Sequence, residues 1–405
     1  MSEAFSPPAG QTANAVKLAI LAMAVGAFGI GTGEFAIMGL LPNLASDLRV
    51  TDPEAGHVIS AYALGVVVGA PLISILAARL PRRALLLGLM LLFVVGNLAS
   101  AIAPNYWSLT VLRFISGLPH GAFFGIAALV AASMVPVTHR ARAVGSVMAG
   151  LMVATLIGMP FATWLGQGLG WRPTFAGVGV VGALAFLMML RFVPVIATEP
   201  GASPLRELSA LKRPQVWLTL GIGAIGCGGM FSVFTYVVPL LTEVTRIPQV
   251  YIPLVLGLFG LGMTLGNNIG AYFADKSLMA TIGGMLVFNC LVLATIPLTA
   301  PYIPSALVSI FFVGFTVAIC TALQTRLMDV AADGQTLAAT LNHAALNTAN
   351  ALGALLGGAA ISAGYGWAST GVVGAGLAVG GLMLFGVSVA LDRRAGAWAP
   401  LAGSA

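Results

Sequence analysis

Long apolar runs separated by short polar breaks make up most of the chain. They lie near 18–42, 58–78, 84–103, 107–134, 143–165 and 173–192, then near 216–241, 252–275, 278–299, 305–326, 338–362 and 368–391. Each is close to or above the roughly 20 residues that a helix rising ~1.5 Å per residue needs to cross a hydrocarbon core of ~30 Å. The pattern predicts an all-α membrane protein with twelve transmembrane helices.

Composition removes the soluble alternative. Of 405 residues, 59% are hydrophobic and 7% are charged, against roughly a quarter charged in an ordinary soluble domain. Water cannot cover that much apolar surface, so lipid is the expected solvent. The 51 glycines suit helices whose backbones touch, because small residues permit the close packing that drives association in lipid. Cys227, Cys290 and Cys320 all fall in apolar runs without metal-ligand spacing, and are expected to be packing residues. The start of the chain carries Glu3 as its only charge before Lys17, and the first apolar run is too long for a signal peptide. That run is expected to stay as the first span.

Basic residues set the orientation. With both termini in the cytoplasm, Arg49, Arg172 and Arg246 lie outside and Arg113 lies within a span, which leaves 14 of the 18 lysines and arginines on the cytoplasmic side. Short cytoplasmic loops carry such an excess. The net charge of +6 is thus a topology signal, and no nucleic-acid partner is expected.

The hydrophilic stretch from Pro194 to about Gln215 divides the spans six and six. The expected organisation is a cytoplasmic tail at 1–15, a six-helix bundle at 16–193, a cytoplasmic linker at 194–215, a second bundle at 216–392 and a tail at 393–405. Pro42, Gly65, Gly69 and Arg79 recur as Pro239, Gly262, Gly266 and Lys276, always 197 positions later. The Gly168-Leu169-Gly170-Trp171 run recurs as Gly364-Tyr365-Gly366-Trp367 at an offset of 196. An even number of spans per half gives the two copies the same orientation, the parallel repeat of rocking transporters.

Several runs carry a family likeness over residues 16–392. They are Gly33-Glu34-Phe35 with Met38-Gly39-Leu40-Leu41-Pro42, Ile59 to Ala63 leading to Gly69-Ala70-Pro71, and Arg113 with Gly117 and His120 to Gly125. Further along come Gly158-Met159-Pro160 with Gly166-Gln167 and Gly170-Trp171-Arg172, then Gly229-Met230-Phe231, Thr235-Tyr236 and Asn347 to Gly353. Together they resemble the major facilitator superfamily, in particular its twelve-helix drug:proton antiporters of the arabinose-efflux-like and chloramphenicol-efflux-like type. The resemblance implies two pseudo-symmetric six-helix bundles, proton coupling and an inner-membrane location. The loop after the second helix departs from that family: Ala78-Arg79-Leu80-Pro81-Arg82-Arg83 lacks the usual acidic residue, whereas Asp275-Lys276 keeps it in the second half.

Glu34 is the carboxylate that the sequence puts deepest in a span, about 8 residues or roughly 12 Å from Pro42. Arg113 is the one cation well inside a span, at similar depth. A charge there is costly in lipid and is expected to face the protein interior. Glu34 is the expected proton carrier, with Arg113 favouring its ionised form and His120, two turns along the same helix, as a possible relay. A permanent Glu34–Arg113 salt bridge that fixes helix registry is the structural alternative.

Thr340, His343, Asn347 and Asn350 are spaced to share one helix face. With Asn267, Asn268, Gln324 and Tyr236 they form the expected polar wall of a substrate cavity, or else glue between helices. Gly158 and Pro160, with Arg79, Arg82, Arg83, Asp275 and Lys276, are the candidate gating residues.

The sequence contains no phosphate-binding loop, zinc-protease motif or nucleophile elbow. No cofactor, metal or enzymatic role is expected. The expected function is proton-coupled export of small neutral or lipophilic compounds by a monomer, with protons, substrate and bilayer as its partners. Sugar efflux and a non-transporting membrane sensor are the alternatives.

Overall fold

The computed structural model describes residues 13–76, 80–136, 139–195, 211–331 and 335–394. Arg79 and Ala78, and most of the 194–215 linker, lie outside them. Among the described residues, eleven helices are long and apolar enough to cross a membrane. In the first half these are α1 (Asn14–Gly39), α2 (Asp52–Ile73), α3 (Arg82–Ala101), α4 (Tyr106–Ser133), α5 (Arg142–Leu169) and α6 (Trp171–Phe192). In the second they are α7 (Pro214–Thr235), α8 (Gln249–Lys276), α10 (Ile303–Ala331), α11 (Thr340–Tyr365) and α12 (Ser369–Arg394).

The twelfth helix, α9, is shorter, at Leu278–Ala294. The apolar run predicted over 278–299 breaks at Thr295 because Pro297 cannot continue the hydrogen-bond ladder, and a separate turn, Ile296–Thr299, completes it. The fold is thus twelve apolar helices in two pseudo-symmetric bundles.

The symmetry extends to individual close contacts. In the first half, Gly65 of α2 lies against the carbonyl of Phe114, Gly117 of α4 against that of Tyr62, and Gly69 against that of Leu118. In the second half, Gly262 meets the carbonyl of Phe311, Gly314 that of Phe259, and Gly266 that of Phe315. All six residues of the first set map onto the second at the offset of 197. A Cβ at any of these glycines would enter a neighbouring backbone, so the absent side chain is what brings α2 onto α4 and α8 onto α10.

The halves meet along two seams, α2 against α11 and α5 against α8. The α5 seam passes through a π-helical turn, Ala154–Gly158, just before Pro160. A π-turn absorbs the bend that a proline imposes. Gly158 packs there on Thr32 and Phe28 of α1, and Pro160 on Gly257 of α8, so the candidate gating pair touches both halves.

At the end of the molecule bearing the α1–α2 connection, the halves are joined by polar contacts. Gln167 donates to the Gln249 carbonyl at 3.2 Å and Gln249 to Asn43 Oδ1 at 3.4 Å. A short helix, Leu41–Leu48, lies at this end. Arg172 and the Trp171 indole both donate to the Asp47 carboxylate there, and these bonds, Arg172's first, hold it below the ordinary carboxylate range.

Arg326, expected on the cytoplasmic side, lies near the end of α10 and is ion-paired with Asp392 in the last turns of α12. Gln215 donates to Asp392 Oδ1 at 2.9 Å and accepts from Ser388 at 2.6 Å. Asp392 is therefore a second buried carboxylate, close enough to a helix end for its sequence position to conceal its burial.

Candidate transport site

Four helices of the first half converge on one buried polar centre. Glu34 on α1, Tyr62 on α2, and Arg113 and His120 on α4 are all buried. The Gly117 approach to Tyr62's own carbonyl holds α2 against α4, which puts the Tyr62 ring between the two α4 residues. Its hydroxyl lies 3.0 Å from His120 Nδ1. Its ring takes the Arg113 guanidinium at 4.2 Å, and Phe175 of α6 takes the same cation at 5.1 Å. A cation over a desolvated aromatic face gains ~2 kcal/mol, which partly offsets its removal from water.

Arg113 and Glu34 do not form the direct salt bridge considered above. Arg113 Nη2 donates to the Gly33 carbonyl at 3.0 Å, one residue before Glu34, while Nε and Nη1 have no partner. The cation biases the carboxyl through space without bonding to it. Glu34 Oε2 instead has His120 Nδ1 at 3.9 Å.

The second half contributes α11. Asn350 reaches the Glu34 carboxyl from across the seam without settling into hydrogen-bond geometry, since both its amide atoms lack partners. Asn347 donates to the His343 carbonyl at 3.1 Å, and its Oδ1 is likewise unpartnered. The His343 ring stacks on Phe124 of α4, with centroids 5.2 Å apart and planes at 11°, and lies 6.2 Å from the His120 ring. Thr340 sits across from Gly125. The polar face of α11 therefore turns toward the first half.

The remaining candidates lie apart from this centre. Asn267 accepts from Thr321 of α10 at 2.9 Å, a bond inside the second half. Asn268 is exposed and donates to the Thr264 carbonyl of its own helix, and Gln324 contacts Met328 Sδ at 3.9 Å. Tyr236 is fully buried toward the end bearing the α1–α2 connection, where it donates to the Ala354 carbonyl at 2.8 Å and presses on Gly56 of α2. There it works as a strut between halves. Arg83 donates to the Leu190 carbonyl, tying α3 to the end of α6, and Arg82 stands beside it at the start of α3. Asp275 is exposed with no ion pair among the described residues, and Lys276 lies over the Tyr272 ring at 4.3 Å.

Tyr62, Phe124 and Phe175 were not among the site residues expected from sequence. Their roles depend on tertiary approach, and in an apolar run an aromatic residue reads as packing.

Unpartnered polar atoms on Arg113, Asn347 and Asn350 share a seam between two six-helix bodies. Buried polar groups are nearly always satisfied, so this centre has unused capacity for water or a ligand. A polar centre at the seam of two bundles of apolar helices is the arrangement of a membrane transporter, and the chain belongs to the Major Facilitator Superfamily, whose sequence model matches residues 23–340.

Among its relatives, the inner membrane transport protein YdhP of Escherichia coli K12 is 41% identical over 94% of this chain and 97% of its own length. The putative transporter AraJ of the same organism is 33% identical over 86% and 89%. A chloramphenicol resistance protein of Streptomyces lividans is 34% identical over 84% and 88%. In fold, the chain is similar to the crystal structure of a bacterial homologue of the human lysosomal transporter Spinster, in an inward-facing and unoccupied conformation. The TM-score is 0.68 at 16% identity, covering 96% of this chain and 100% of that one.

Proposed function

We propose that this transporter exports small neutral or lipophilic compounds in exchange for protons, with Glu34 as the proton carrier. The carrying observation is a buried carboxyl at the seam, approached by His120 from its own half and by Asn350 from the other. A rocking motion that separates α11 from the first half changes the surroundings of Glu34. Release of its proton is thereby linked to which side is open. The Arg113 cation, held on Gly33 rather than on the carboxylate, lets Glu34 cycle between forms without breaking an ion pair.

Substrate would occupy the same seam. The unpartnered Asn347 and Asn350 amides offer donors and acceptors, and Phe231, Phe234 and Phe259 provide a buried aromatic flank in the second half. A mixed lining of this kind suits small molecules with few charges. The relative named for chloramphenicol resistance supports export as the direction.

The test is substrate transport in proteoliposomes under an imposed pH gradient. Glu34→Gln fixes a neutral group of similar shape. It is expected to bind substrate but to lose uphill export, whereas Glu34→Asp keeps part of it. Uphill export by Glu34→Gln at the wild-type rate would remove Glu34 from the carrier role.

The bundle boundaries given above and two cytoplasmic termini complete the proposal, in a bacterial-type inner membrane. Lys212→Cys in intact cells is expected to resist impermeant thiol reagents, and Thr51→Cys to react. The reverse labelling would invert the topology.

A further inference from the structure

We infer that His343, on the second half, is a proton-path residue that takes the proton from His120 across the seam, and so is more than a lining residue of the substrate cavity. The inference rests on the proton-coupled reading above and adds the route to it. Glu34 alone cannot deliver its proton beyond the plane of its own side chain, because it is buried and the end bearing Asn43 and Gln249 is closed by cross-half contacts.

The next titratable group is His120, whose Nδ1 lies 3.9 Å from Glu34 Oε2 and 3.0 Å from the Tyr62 hydroxyl. The charged and titratable groups around this step are Glu34 on α1, Tyr62 on α2, Arg113 on α4 and His343 on α11. Imidazole suits the transfer because one ring nitrogen can accept a proton while the other releases one. From His120 the neighbouring titratable ring is His343, with centroids 6.2 Å apart, a gap that one water or a ring rotation spans. In the full step the Glu34 carboxyl loses a proton to His120 and becomes a carboxylate. His120 passes a proton to His343, which releases it to water when α4 and α11 separate, so charge and protons balance at each stage.

Phe124 fixes the geometry. Its ring lies 5.2 Å from both histidines, tilted to His120 and stacked flat on His343. It therefore holds the two imidazoles on either side of the seam, one on each half. Gly121, one residue beyond His120, lies tight against Ala70 of α2 and has the Cβ of His343 at van der Waals distance, so α4 approaches α11 closely beside the two rings. The His120–His343 step exists while α4 and α11 are in contact and is broken when they separate. Proton passage is thereby tied to one phase of the transport cycle.

The test replaces His343 with Phe, which keeps an aromatic ring for the Phe124 stack but cannot carry a proton, and separately with Gln. Substrate-driven proton movement and substrate exchange without a pH gradient are measured in the same proteoliposomes. Uphill export by both variants is expected to fall by about a hundredfold or more, the lower range for losing a positioned acid–base group, with exchange reduced far less. Uphill export within about twofold of wild type in either variant overturns the relay, as does an equal fall in export and exchange, which would mark a substrate or packing role. Absence of substrate-driven proton movement in the wild-type protein would instead overturn the proton-coupled reading itself.

Discussion

At the offset of 197, Glu34, Tyr62, Arg113 and His120 of the first half have Phe231, Phe259, Ile310 and Val317 as their counterparts in the second. The backbones around these positions are alike, with Gly117 against the Tyr62 carbonyl and Gly314 against that of Phe259. The side chains differ in chemistry: none of the second-half counterparts is ionisable. Where the first half has a cation over Tyr62, the second stacks Phe259 on Phe234 with centroids 3.8 Å apart and planes at 4°. One scaffold therefore supports two chemistries: an ionisable centre in one copy and an aromatic wall in the other. Helix packing depends on the glycines that both copies retain. The proposed proton carrier Glu34 and its first-half neighbours Tyr62, Arg113 and His120 have no ionisable counterpart in the second copy.

Breaking the polar side of that comparison is expected to give the larger effect. Arg113→Leu removes a buried cation and its charged hydrogen bond to the Gly33 carbonyl, worth about 1.5–3 kcal/mol, and pH-driven export into vesicles is expected to fall by about a hundredfold. Its counterpart, Ile310→Val, creates only a small cavity costing about 1 kcal/mol, with export within about threefold of wild type. Comparable losses from both would dissolve the distinction.

The shared scaffold gives a smaller, paired effect. Gly117→Ala and Gly314→Ala each place a methyl group against a backbone carbonyl, a form of overpacking that costs about 1–3 kcal/mol. Thermal unfolding in detergent is expected to show similar losses for the two. A large loss from one and none from the other would mean that the copies do not pack alike.

The comparison also shows what was legible beforehand. The spans, the duplication and the depth of Glu34 and Arg113 follow from hydropathy and spacing, because lipid penalises charge severely enough to leave a clear signal. The four-residue polar face of α11 was legible for the same reason. What Arg113 bonds to was not, since sequence gives depth but not rotamer, and a carbonyl one residue from Glu34 competes with its carboxylate. Asn268, expected in the cavity wall from its place on the eighth helix, is exposed and donates to the Thr264 carbonyl of its own helix. Tyr62 was hidden because its importance arises only where α4 crosses α2. Asp392 lay too near a chain end for burial to be inferred, although Arg326 and Gln215 enclose it.

The central claim is that Glu34 changes protonation when substrate binds. Infrared difference spectroscopy of the purified protein, with and without a transported compound at constant pH, reads this directly. Substrate is expected to produce a band for loss of a protonated carboxyl in the wild-type protein, and none in Glu34→Gln that still binds substrate. The same band in Glu34→Gln would assign the proton to another carboxyl, and the account of the first-half centre would be wrong.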